Sequence, residues 1–196
     1  MNHPVGLQLT DDLKRTRLTV LFRIILAIPH LVWMAIWGIA VVFAVIASWF
    51  ATLANGTTPV GLHRFVGGYL RYGVRVHAYI YIVADPFPAF GTPATYDEPD
   101  GAYPIDARIA RAAPQDRLKT GFRIILAIPV LIVAGAISYL SEALAVIAWV
   151  VALFTASVPE GVRNLAAWCL RFQAQTYGYV MLLTDEYPSF AGIQPE

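Results

Sequence analysis

Between Ile24 and Leu62 not one residue carries a charge. A second stretch, Ile124 to Pro159, contains a single carboxylate, Glu142. About 20 consecutive apolar residues suffice to cross a bilayer as a helix, so each run is long enough for at least one transmembrane helix. The rest of the chain offers little polar surface to cover such segments. Only 14% of its 196 residues are charged and 58% are hydrophobic, whereas a soluble domain carries about 25% charged residues. The expected class is therefore an integral membrane protein. A net charge of +1 provides no field for nucleic acid. Cys169 is the only cysteine, which leaves no intrachain disulfide and no cysteine-type metal site. Met1 to Thr19 is polar, and the apolar stretch after it is too long for a signal-peptide core, so it reads as a retained anchor.

The octapeptide FRIILAIP stands at Phe22–Pro29 and again at Phe122–Pro129. An offset of 100 positions aligns the chain with itself without a gap: Trp49 with Trp149, Pro59 with Pro159, Leu70-Arg71 with Leu170-Arg171, Tyr79 with Tyr179, Asp85 with Asp185. A register kept over such a span marks an internal duplication. The expected organisation is a cytoplasmic N-terminal segment (1–18), a first membrane repeat (19–91), a polar linker (92–116) rich in Pro, Gly, Ala and Asp, a second repeat (117–192) and a C-terminal tip (193–196). Pro29 and Pro129 are expected to kink the long helices.

The second segment of each repeat is ambiguous. Leu62 to Ala84 is long enough to span but holds Arg64, Arg71 and Arg75. On a helical wheel these arginines share one narrow stripe, flanked by Gly67, Gly68 and Ala78. Asn164, Arg171 and Gln175 occupy the same stripe in the second repeat. A polar stripe lined by small residues lets a helix pack closely while holding its polar groups off lipid. The rival is an amphipathic helix lying at the interface, since each central arginine costs about 2.5–3.5 kcal/mol to insert. Charge placement favours spanning. Lys14, Arg15 and Arg17 precede the first run and Arg108, Arg111, Arg117 and Lys119 the second. The positive-inside rule wants both groups cytoplasmic, which requires an even number of crossings per repeat. The expectation is an all-α protein with four transmembrane helices, arranged as two parallel two-helix repeats, with both termini cytoplasmic. Arg23 and Arg123 are expected to snorkel to the cytoplasmic interface.

Several polar residues are candidates for chemistry. Glu142 lies in an apolar run, at a helical depth similar to Arg71, Arg75 and Arg171, and is expected to pair with one of them. Such a pair is either structural or a site for a proton or substrate. Arg71 and Arg171 recur in both repeats, either tied to carbonyls or a helix end or gripping a lipid phosphate. Tyr79 and Tyr179 either join that stripe or sit at the interface. Each repeat ends in an aspartate followed by proline and aromatics, Asp85 with Pro88 and Asp185 with Pro188, most simply a helix-exit anchor. No nucleotide-binding, zinc-protease or nucleophile-elbow motif is present. His3, His30, His63 and His77 show no paired metal spacing, and Ser48, Ser138 and Ser141 have no neighbouring base. No catalytic residue, cofactor or metal is expected.

With those motifs in hand, the chain resembles a family of mainly actinobacterial membrane proteins known as domain of unknown function 4389, in two tandem copies. The matching pieces are RLTVLFRIILAIPHLV, the Pro-x-Gly turn, LRYGVRVHAYIYIVADPFPAF, LFTASVPEG and LRFQAQTYGYVMLLTDEYPSF. The chain departs from the pattern at Gln175, which stands opposite Arg75, and at the turns, where Thr57-Thr58 and Ser157-Val158 replace a basic-aromatic pair. The resemblance implies a plasma-membrane location and assigns no activity. The expected function is a non-enzymatic accessory or scaffold protein contacting membrane lipids, another membrane protein or itself. The alternative is a small oligomeric carrier or channel using Glu142 and the arginine stripe. A lipid-processing enzyme would need an interfacial nucleophile or metal cluster, and the sequence offers neither.

Overall fold

The computed structural model describes residues 3–91 and 103–191. The C-terminal tip 193–196 and the first part of the linker, 92–102, lie outside the described residues. The element order is β1 (Val5–Leu9), α1 (Arg17–Asn55), α2 (Val60–Ile80), β2 (Ile105–Ile109), α3 (Arg117–Gly121), α4 (Arg123–Thr155) and α5 (Glu160–Val180).

The two charge-poor runs form the long helices α1 and α4. Each contains its repeat's proline, Pro29 or Pro129. Gly56 ends α1 in the left-handed conformation (φ 74°), and Ala156 does the same for α4 (φ 56°). Pro59 and Pro159 then stand immediately before α2 and α5. Each long helix folds back on its shorter partner as a helical hairpin. Met34 and Gly38 of α1 lie against Gly73 and Tyr69 of α2.

The sequence expectation of an all-α chain is incomplete. β1 and β2 pair antiparallel, Val5 with Ile109, Leu7 with Ala107 and Leu9 with Ile105. The parts expected to be a polar N-terminal segment and a polar linker therefore each contain a strand. In β2, Ile105, Asp106, Ala107 and Ile109 are all buried. The pair is centred on Leu7 and Ala107, which occupy equivalent places in the two repeats. The duplicated unit thus begins upstream of the helices.

The repeats exchange these strands. β1, from the first repeat, lies on α5 of the second: Gln175 Nε2 donates to Val5 O at 3.0 Å. A Cβ on Gly178 would sit 2.8 Å from Val5 Cγ2, so this close approach requires a glycine. β2, from the second repeat, lies on α2 of the first, with Ile109 against Gly67. The straps that follow cross over in the same way. Arg15 N donates to Ala156 O and Gln115 N donates to Gly56 O, at 2.9 and 2.8 Å. Such mutual contacts are the signature of a two-fold relation between like units.

The same reciprocity sets the helix directions. Trp49 Nε1, late in α1, donates to Thr120 O just before α4, and Trp149 Nε1, late in α4, donates to Val20 O early in α1. Arg17 reaches Phe154 O. α1 and α4 therefore run antiparallel, which corrects the expectation of two parallel repeats. A two-fold axis perpendicular to the helices relates them. The small sheet straddles that axis.

The result is three layers. On α2, Gly73 and Tyr69 face α1, whereas Gly67, Arg71 and Arg75 face β2. At about 100° per residue these two sets point to opposite sides of the helix. α1 and α4 thus form one outer layer, α2 and α5 the middle, and the sheet the other side. The middle helices are buried over most of their length, while α1 buries about one residue in five and α4 about one in four. Two helices, α1 and α4, are long and apolar enough to cross a membrane. Four transmembrane helices are not supported, because the polar stripes of α2 and α5 are spent on the strands and the chain around them.

Candidate functional site

The arginines of the predicted stripe have different partners within the chain. Arg71 and Arg75 converge on one carboxylate, Asp106. Arg71 Nη2 bonds Asp106 Oδ2 and its Nε lies 3.3 Å from Oδ1, while Arg75 Nη2 and Nε lie 2.7 and 3.2 Å from the same two oxygens. All three side chains are buried. Two residues one helical turn apart fall on the same face, so α2 presents both guanidinium groups to β2 at once. Asp106 also accepts from Ala107 N at 2.9 Å. Tyr103 closes the cluster. Its ring lies 5.9 Å from the Arg75 guanidinium, and its hydroxyl donates to Pro86 O at 2.7 Å. Burial pushes that hydroxyl well above the usual tyrosine range, so it stays a neutral donor.

Arg64 is exposed near the start of α2. Arg171 is buried and donates to the carbonyls of Ser189 and Ala191 in the chain that follows α5. Of its two sequence readings, the tie to carbonyls is the observed one. Gln175, opposite Arg75 in the duplication, bridges Val5 O and Ser189 N. The same stripe position thus serves the strand in both repeats, by an ion pair in one and an amide in the other.

A second pair of sites lies where each hairpin closes. Arg23 does not snorkel. It is 1% exposed and donates to Tyr79 O at 2.8 Å, Ala84 O at 2.9 Å and Asp85 Oδ1 at 2.8 Å. Its guanidinium lies 4.4 Å from the centre of the Tyr79 ring. Arg123 repeats this with Tyr179 O and Thr184 O and the Tyr179 ring, and takes Gln115 Oε1 at 2.9 Å in place of a carboxylate. Tyr79 and Tyr179 are therefore buried ring platforms for the hairpin arginines.

These arginines stabilise an unfavourable turn. Ile82 (φ 60°) and Leu182 (φ 64°) adopt the left-handed conformation, which costs a side-chain-bearing residue about 1–2 kcal/mol. The reversed chain leaves carbonyls that need donors. Arg15 Nε and Nη2 supply them to Ile82 O and Val83 O at 3.1 and 2.8 Å, and Gln115 Nε2 supplies Leu182 O at 2.8 Å. Arg15 is in turn held by Asp11 at 2.7 Å, and Arg163 of α5 lies 4.0 Å from the same carboxylate.

The repeat-end motifs form part of these junctions. Asp85 accepts from Thr16 N and Oγ1 at the start of α1, where a negative charge suits the free N–H groups of the helix end. Asp185 accepts from Asp116 N at 3.4 Å, with Lys119 Nζ at 3.9 Å. Pro88 and Pro188 are buried beside them.

Glu142 stands apart. It is exposed on α4, and no described residue forms an ion pair with it. The carboxylate expected from Glu142 is supplied by Asp106, a residue of β2 assigned from sequence to the linker. Glu142→Gln is accordingly expected to shift stability by less than about 0.5 kcal/mol, read as the thermal midpoint in detergent. A drop of several degrees would return Glu142 to a pairing role.

Sequence reasoning missed Asp106, Arg15 and Gln115. A signal was present. VGLQL and IDARI keep the 100-residue offset, and both alternate in strand fashion. His30 and Tyr72 were also missed. His30 Nδ1 lies 2.5 Å from the Tyr72 hydroxyl, and its ring stacks on Phe90. Among the described residues no group of three or more His, Cys, Asp and Glu could hold a metal ion.

The fold and its clusters define a class: a duplicated helical hairpin with exchanged strands, internally tied arginines and an apolar outer layer. The chain belongs to the family described as domain of unknown function DUF4389, whose profile matches twice, at residues 17–91 and 117–192. The two matches coincide with the two hairpins and their exits and leave out the strands. No curated protein and no solved structure matches the chain.

Proposed function

We propose that the protein is an integral component of the plasma membrane that acts without turnover, as an accessory or scaffold protein held in lipid by α1 and α4. The observation that carries this reading is the apolar surface of those helices. Large hydrophobic side chains stand exposed along α1 from Leu18 to Phe50 and along α4 from Ile124 to Phe154. Exposed apolar patches on soluble monomers rarely exceed a few hundred Å², and two helices of this length present far more. Lipid is the solvent that such a surface fits.

The arginine clusters support a scaffold over a carrier. Arg23, Arg71, Arg75, Arg123 and Arg171 are buried and engaged with carboxylates or backbone carbonyls of the chain itself. They maintain the strand exchange and the hairpin turns. The full-length protein is expected to stay in the membrane pellet through high salt and alkaline carbonate and to leave it only with detergent. Release by carbonate alone would overturn the reading. Native mass spectrometry after gentle extraction would then identify the lipid or protein that accompanies it.

A further inference from the structure

Resting on the membrane reading above, we infer that α1 and α4 lie side by side in the plane of the bilayer, immersed in one leaflet. The middle helices and the sheet then face the aqueous side of that same leaflet. The partner surface is a leaflet containing anionic phospholipid.

Three observations carry this. The first is layering. The exposed apolar side chains belong to α1 and α4, and the exchanged strands lie across α2 and α5 on the opposite side. The outer strand surface carries the exposed Arg108, and Arg111 is exposed just after it. One side of the molecule suits acyl chains and the other suits water. A helix layer about 10–12 Å thick fits within half of a hydrocarbon core about 30 Å across.

The second is length. From Leu18 to Phe50 the exposed apolar face runs about 50 Å at about 1.5 Å per residue, well beyond the hydrocarbon thickness. Lying in the plane removes that mismatch.

The third is charge. Because α1 and α4 are antiparallel, Lys14 and Arg17 stand at one end of the layer and Arg117 and Lys119 at the other, all exposed. A spanning arrangement would put these cationic groups on opposite faces of the membrane, against the positive-inside rule. In the plane, all four sit at one headgroup level, where lipid phosphates are their counter-ions.

The test uses the full chain with Cys169, which is buried, replaced by alanine. Asn55→Cys and Thr155→Cys, both exposed, mark the two ends of the helix layer. They are reacted with a membrane-impermeant maleimide in intact cells and after lysis. Both cysteines are expected to behave alike in intact cells, and both to react on lysis. Labelling of one end alone in intact cells would overturn the in-plane arrangement. Thr57→Cys and Ser157→Cys form a second pair in case either helix-end variant fails to accumulate. The membrane reading is checked separately, by carbonate fractionation of the same variants. Loss from the pellet would defeat that reading, whereas retention with one-sided labelling would defeat only the in-plane inference.

Discussion

Asp106→Ala is expected to cost about 3–5 kcal/mol of stability, the usual penalty for breaking a buried ion pair by removing one partner. The carboxylate serves two guanidinium groups, on Arg71 and Arg75, and all three side chains are buried. Its loss removes the carboxylate that the two guanidinium groups share. The effect extends beyond the cluster, because Asp106 lies on β2 and the arginines on α2. The bond therefore joins the two repeats and holds the exchanged strand in place. The measurement is the thermal midpoint of the detergent-solubilised protein, with strand docking followed by amide exchange at Ile105 to Ile109. Adding Arg71→Met to Asp106→Ala should cost less than Arg71→Met alone, with non-additivity of about 0.5–3 kcal/mol, as for directly coupled residues. Additive effects, or a midpoint unchanged by Asp106→Ala, would show that the strand exchange does not depend on this cluster.

Arg23→Met should destabilise the first hairpin nearly as strongly. Ala84 O loses its side-chain donor and Tyr79 O keeps only the Ile82 N–H; a buried carbonyl left unpaired costs about 1–3 kcal/mol. Asp85 loses its cation and the Tyr79 ring its cation–π partner. Arg23→Lys should recover only part of the loss. An ammonium is a point charge on a flexible stem and cannot occupy two carbonyls and a carboxylate with the geometry of a planar fork. Full rescue by lysine would mean that charge alone matters there. The equivalent Arg123 binds Gln115 instead of an aspartate. Arg123→Met is therefore the comparison that separates the carbonyl bonds, common to both sites, from the ion pair, which only the first site has.

The family match and the exposed faces of α1 and α4 agree with the sequence. The duplication was visible because FRIILAIP and the residues after it keep one offset. The long helices were visible because a charge-free run of that length has few other uses. The strands were harder to see. Five residues with weak alternation, set among prolines, alanines and charges, carry a smaller signal than a long apolar run, and a two-stranded sheet owes its stability to what it packs against. Asp106 looked like a linker residue for the same reason. The arginines of α2 were visible as a stripe, but a stripe on a helix names no partner. Depth counted along a helix pointed to Glu142, whereas the acceptor came from a segment whose position helical periodicity cannot give.

By itself, the sequence determined that this chain makes two copies of one hairpin, each with a long apolar helix and a polar-striped partner. Local periodicity, the prolines and glycines at the turns and the duplication are enough for that. Only the tertiary structure decided that the copies exchange strands, run antiparallel and arrange their apolar helices as one outer layer. The physical reason is that two identical hairpins can pack parallel or antiparallel with similar burial of their apolar faces. The choice between them rests on a few long-range contacts: Asp106 with Arg71 and Arg75, Gln175 with Val5, and Trp49 and Trp149 each with the start of the opposite long helix.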